Sequence, residues 1–82
     1  MKLQTKSMLY TIRDVINQII DDPDSLDTYC YNFGQIEEAL RYKAVEETDP
    51  EKYAFLHSQC NKYRALRYLC MSIQDTEEFL DD

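Results

Sequence analysis

Met8, Leu9, Ile12, Val15, Ile16, Ile19 and Ile20 recur at helical spacing, and Arg13, Asp14, Asn17 and Gln18 fall on the opposite arc. The pattern predicts a first amphipathic helix. Asp21 and Asp22 precede Pro23, which lacks an N–H and disfavours helix in the residue before it, so the helix is expected to end there. Ser25 then reads as the cap of a short second element, SLDTYCYNF, with Leu26, Tyr29, Cys30 and Phe33 inward and Gly34 as its stop. GQIEEALRYKAVEE carries a narrow apolar stripe, Ile36, Leu40 and Ala44, and predicts a third helix. Thr48-Asp49-Pro50-Glu51 joins capping residues to a proline in the first turn, with a glutamate three after Thr48, and predicts a fourth helix start. That helix is expected to run from Pro50 to Ile73, with Phe55, Leu56, Tyr63, Leu66, Leu69, Cys70 and Ile73 inward. The remainder, residues 75–82, carries five acids and no base and reads as a frayed acidic tail, although Asp75 and Glu78 have capping-box spacing. ALRY occurs twice, at 39–42 and 65–68, but the flanking residues differ, so no repeat follows.

The expected fold is all-α: a small single-domain helical bundle of three to four helices with a long fourth helix. A chain of 82 residues makes one domain, which buries only about 60% of the surface its unfolded chain exposes and leaves little room for an enclosed active site. One glycine, two prolines and no tryptophan fit helices joined by few corners. Cys30, Cys60 and Cys70 are an odd number with no Cys-x-x-Cys spacing, which implies free thiols in a reducing cytoplasm. The opening MKLQTKSMLYTIRDV lacks a continuous apolar run and a small-residue cleavage site, so no secretory signal is expected. The longest apolar-rich stretch, residues 8–20, is too short and too polar to span a bilayer. Sixteen acids against nine bases give a formal charge of −7, which disfavours nucleic acid and anionic lipid as direct partners.

Outside its core arc the fourth helix carries a second stripe: Tyr53, His57, Cys60, Arg64, Arg67, Tyr68 and Met71. Rings and cations on one face have the composition of a protein-binding surface, with Tyr53, His57, Arg64, Arg67 and Tyr68 as candidate contacts. The same composition also describes amphipathic side chains lying over a neighbouring helix with stems buried and heads wet. Both readings stand at this level. His57 and Cys60 are adjacent on one helix face and Cys30 could approach them, but no paired ligand spacing or fourth ligand accompanies them, so no metal site is expected. A Cys-His nucleophile would need an oxyanion site that the chain has no glycine-rich turn to make, so neither enzyme activity nor a cofactor is expected. DDPDSLD does not match a calcium loop, whose sixth and twelfth positions would fall on Asp27 and Phe33. The acids at 21–27, 46–51 and 75–82 could imitate a phosphate ladder, which admits an inhibitor of a DNA-binding enzyme as an alternative function.

In its length, its opening MKLQTKSMLYTIRDVINQII and the stretch RYKAVEETDPEKYAFLHSQCNKYRALRYL, the chain resembles the cytoplasmic lysis-inhibition accessory proteins, the antiholins, of T-even bacteriophages. The likeness covers more than half of the chain and carries no functional residue with it. It implies a cytoplasmic protein that binds the cytoplasmic segment of a phage holin and delays hole formation, without entering the membrane itself. Self-association is left open by these residues.

Overall fold

The computed structural model describes residues 1–80, with side chains described through Thr76. It contains three helices and, among the described residues, no strand: α1 Leu3–Asp21, α2 Ser25–Glu46 and α3 Pro50–Leu80. The long helix expected as the fourth is therefore the third. The two elements expected on either side of Gly34 are one continuous helix. No glycine has a positive φ, so Gly34 does not supply the left-handed cap that would end a helix. A glycine inside a helix costs only about 1 kcal/mol relative to alanine, and the packing of Leu26 and Phe33 on one side of it and Ala44 on the other outweighs that cost.

The other boundaries follow local chemistry. Helix α1 stops at Asp21, two residues before Pro23, as expected. Ser25 is the first residue of α2 and does not cap it; its hydroxyl donates to the Asp22 carbonyl at 2.6 Å and closes the turn around Pro23. At the next corner Asp49 is the true cap: its Oδ1 accepts the Glu51 N–H at 3.0 Å, while the Glu47 side chain accepts the Asp49 N–H at 3.0 Å. Pro50 opens α3, where its missing N–H costs nothing. Helix α3 continues past Ile73 to Leu80, because neither glycine nor proline follows to interrupt it. Of the tail expected to fray, residues 75–80 are the end of α3, and residues 81–82 lie outside the described part.

Helices α2 and α3 form an antiparallel hairpin, and α1 packs over one end of it. Val15 of α1, Leu26 and Phe33 of α2, and Leu66 and Cys70 of α3 are the buried centre, with Met8, Ile12, Ile19, Tyr29, Cys30, Tyr63 and Ile73 against them. Phe33 lies between Tyr29 and Tyr63, at ring-centroid distances of 5.7 and 6.0 Å. The core contacts of α1 lie toward the end of the hairpin that holds the start of α2. Helix α3, 31 residues and so about 46 Å long, sets the longest of the extents of 50 × 28 × 18 Å, and the radius of gyration is 14.6 Å against roughly 12 Å for a compact domain of this length. Phe55, expected inward, is 64% exposed, and Leu9 and Ile20 of α1 are exposed as well. Among the described residues no helix is long and apolar enough to cross a membrane.

Leu66 is 1% exposed at the meeting point of all three helices. Replacing it by alanine is expected to lower unfolding free energy by about 3 kcal/mol in urea titration, whereas Phe55→Ala should stay within about 0.5 kcal/mol. Burial, reinforced by neighbouring Cys30, pushes the Cys70 thiol up. A proton held more tightly by the folded than by the unfolded chain adds stability that is complete below the ordinary thiol range and is lost as pH rises through the raised Cys70 value. Melting temperature should therefore fall more steeply above about pH 8.5 in the native chain than in Cys70→Ala, a comparison that cancels the other groups titrating there. Equal slopes would show that the thiol does not contribute.

Candidate functional site

The seam between α2 and α3 carries a buried carboxylate. Leu26, Cys30, Phe33, Glu37, Leu40 and Ala44 follow one another along α2 at alternating steps of four and three, the spacing by which a helix keeps one stripe against a partner. Leu56, Cys60, Tyr63, Arg67, Cys70 and Gln74 do the same along α3. Each stripe thus has one charged residue at a position that packing reserves for an apolar one, and the antiparallel register sets the two against each other.

Glu37 is 3% exposed. Its Oε2 accepts a hydrogen bond from Arg64 Nε at 2.8 Å and its Oε1 forms an ion pair with Arg67 Nη2 at 3.0 Å, so each oxygen faces a different guanidinium. The side chains of Arg64 and Arg67 are 42% and 32% exposed, which leaves the heads at the surface while their partner is beneath it. The Glu37 hydrogen bond, and then its charge, raise the Arg64 pKa above its ordinary value. Beside them the Cys60 thiol, also buried, lies 3.6 Å from the Glu37 carbonyl. Gly34 gives Arg67 its path: a Cβ there would stand 3.3 Å from Arg67 Cδ. The arginine stem thus lies across the glycine to reach the seam, which is the close approach that explains a glycine in mid-helix. Arg67 Nε is buried with no hydrogen-bond partner among the described residues.

On the outer side of the same stripe, the rings expected as contacts are in the open. Tyr53 and His57 stack at 5.9 Å, Asn61 lies 3.5 Å from the His57 ring, and the Arg67 guanidinium stands 5.1 Å over Tyr68. Tyr53, His57 and Tyr68 are exposed. Arg64 and Arg67 lie against the neighbouring helix and pair with Glu37, while Tyr53, His57 and Tyr68 are exposed rings beside them. The five residues share one face of α3. Arithmetic of charge on that face gives two guanidiniums against one carboxylate, a local excess of one positive charge on a chain of −7.

Glu37 was not among the sequence candidates, since the stripe Ile36, Leu40 and Ala44 places the inward face one residue away. The four-three pattern from Leu26 through Phe33, carried across Gly34, would have found it. Ile36 is instead 38% exposed. The thiols and imidazole considered as ligands do not converge: Cys60 faces the seam, His57 faces solvent, and among the described residues no group of three His, Cys, Asp or Glu side chains is placed to hold a metal ion. No protein-family model, curated protein or solved structure matches the chain.

Removing the carboxylate would leave Arg67 partly buried and unpaired. Glu37→Ala is expected to lower stability by about 2 kcal/mol, below the usual cost of breaking a fully buried pair because both guanidiniums reach water. Converting the trio together, as Glu37→Leu with Arg64→Met and Arg67→Met, should recover most of that loss, measured by denaturant unfolding. A triple variant less stable than Glu37→Ala would mean that the ion pairs contribute net stability and do more than satisfy one another.

Proposed function

We propose that this is a non-enzymatic regulatory protein of the host cytoplasm, acting by stoichiometric protein binding through the α3 face of Tyr53, His57, Arg64, Arg67 and Tyr68. The observation that carries the reading is the combination of exposed tyrosines with two guanidiniums held in place by a buried carboxylate. Tyrosine and arginine are the residues from which binding energy is most often built, and an arginine already fixed by Glu37 loses less freedom when a partner docks. The unused N–H groups of Arg64 and Arg67 suit a carboxylate or carbonyl of the partner flanked by an apolar side chain for Tyr68. The resemblance to T-even antiholins supplies the specific partner, the cytoplasmic segment of a phage holin, and the outcome, delayed lysis. Nothing in this function needs a metal, a cofactor or insertion into the membrane.

A soluble peptide of the holin cytoplasmic segment should bind the folded chain in isothermal titration. Tyr68→Ala and Tyr53→Ala should each weaken that binding by about 2 kcal/mol while the melting curve stays unchanged. Binding that survives both substitutions would place the contact elsewhere on the chain. Displacement of DNA from a DNA-binding enzyme, with no binding to the holin peptide, would favour inhibition by charge mimicry in its place.

A further inference from the structure

Helix α1 packs through Met8, Ile12, Val15 and Ile19, and its first turns stand away from α3. Between them lies an open groove of about 960 Å³. Leu3 and Met8 line it from α1, and Ala54, Phe55 and Ala65 from α3; Lys62, toward the Ala65 end, is the one charged residue among those lining it. Leu3 is 82% exposed, so this apolar surface is left uncovered by the fold itself. Ala54, Ser58 and Ala65 are small and lie along one side of α3, which lets another helix approach its backbone closely. At the opposite end Phe55 also lines a second notch, of about 430 Å³, whose rim carries Glu47, Asp49 and Glu51 against the single base Lys52. Phe55 lines both groove and notch, which together make a depression whose apolar lining at Leu3, Met8, Ala54, Phe55 and Ala65 is interspersed with uncharged polar residues and adjoins an acidic end.

We propose that this depression is a docking site for an amphipathic helix that carries basic residues at one end, its apolar stripe along Leu3, Met8 and Phe55 and its bases over Glu47, Asp49 and Glu51. The site lies on a different side of α3 from the tyrosine and arginine face and does not rest on the holin reading. A second copy of the chain, at a formal charge of −7, would bring like charge to the acidic end, and an anionic lipid surface would do the same. A basic segment meets both the apolar floor and the charge. Lys62 at the far end opposes bases there, which fixes the direction of the bound helix.

The probe is a labelled peptide of about 18 residues, long enough to be helical, with leucines at i, i+3, i+4 and i+7, lysines in one terminal turn and uncharged residues elsewhere. Fluorescence anisotropy should show one peptide bound per chain. A peptide with glutamates in place of the lysines, and one with the leucines scrambled, should each bind about tenfold or more weakly. Phe55→Ala and Ser58→Arg should weaken the lysine peptide as much with the circular dichroism spectrum unchanged, and Glu51→Lys should reverse the preference between the lysine and glutamate peptides. Tyr53→Ala and Tyr68→Ala should leave it unaffected, so failure of the holin reading and failure of this one are separable. Equal binding of the scrambled peptide, or binding indifferent to Phe55→Ala, would overturn the proposal. So would a dimer in sedimentation that Phe55→Ala dissolves, which would make a second copy the occupant, or co-sedimentation with anionic phospholipid vesicles lost in the same variant, which would make it a membrane surface.

Discussion

One carboxylate placed in an apolar seam governs how this chain folds against itself. An ionised glutamate out of water is tolerated only if both oxygens are met by charge, and Arg64 and Arg67 meet them one each. Only one antiparallel register of α2 and α3 achieves this. A slide of either helix by one turn would take Glu37 away from one of its two arginines, whereas an all-apolar seam would accept such a slide at little cost. Gln74 and Asp27, whose side chains meet at 2.6 Å near the far end of the hairpin, belong to the same register. The constraint reaches back into the backbone as well, since the arginine that completes the pair needs the space above Gly34.

With the hairpin fixed in this way, α1 has a narrower task. It supplies Val15 and its half-buried neighbours to the end of the hairpin where Leu26, Phe33, Leu66 and Cys70 converge. Nineteen residues cannot cover thirty-one, and exposed apolar surface remains at Leu3 of α1, at Phe55 and at the outward tyrosines. In a chain of this size every apolar residue left outside is withheld from a modest core, so such surface has a stability cost that solubility alone does not justify. A formal charge of −7 opposes self-association through that exposed surface.

Much of this was legible in the residues, and the exceptions have physical causes. Pro23 and the Asp49-Pro50 pair mark two corners through a missing N–H and a side-chain cap, both local effects, and both corners are where the sequence places them. Gly34 misleads because a glycine can end a helix or admit a neighbour into it, and which one depends on a side chain thirty-three positions later. Phe55 misleads because helical periodicity gives an inward direction but does not say whether another helix reaches that far. Glu37 is hidden because polarity is ordinarily taken as a sign of exposure. The stripe that contains it becomes visible only when steps of four and three are followed through the glycine, and its partners only when the second helix is laid against it.

The distribution of charge limits what can bind. The field of the whole chain is negative and favours the approach of basic partners from a distance, while the face around Tyr68 has a local positive excess produced by an internal acid that is outnumbered by its own bases. Screening over about 8 Å at physiological salt lets the two fields coexist on one small molecule, because each is felt mainly at its own surface. A uniformly basic segment would be drawn to the chain and rejected by the arginine face. A uniformly acidic one would suit that face and be repelled on approach. Because the two surfaces lie on different sides of α3, charge would sort partners between them, so specificity here can come from the sign of charge a partner presents and does not require a deep pocket or any strongly directional chemistry.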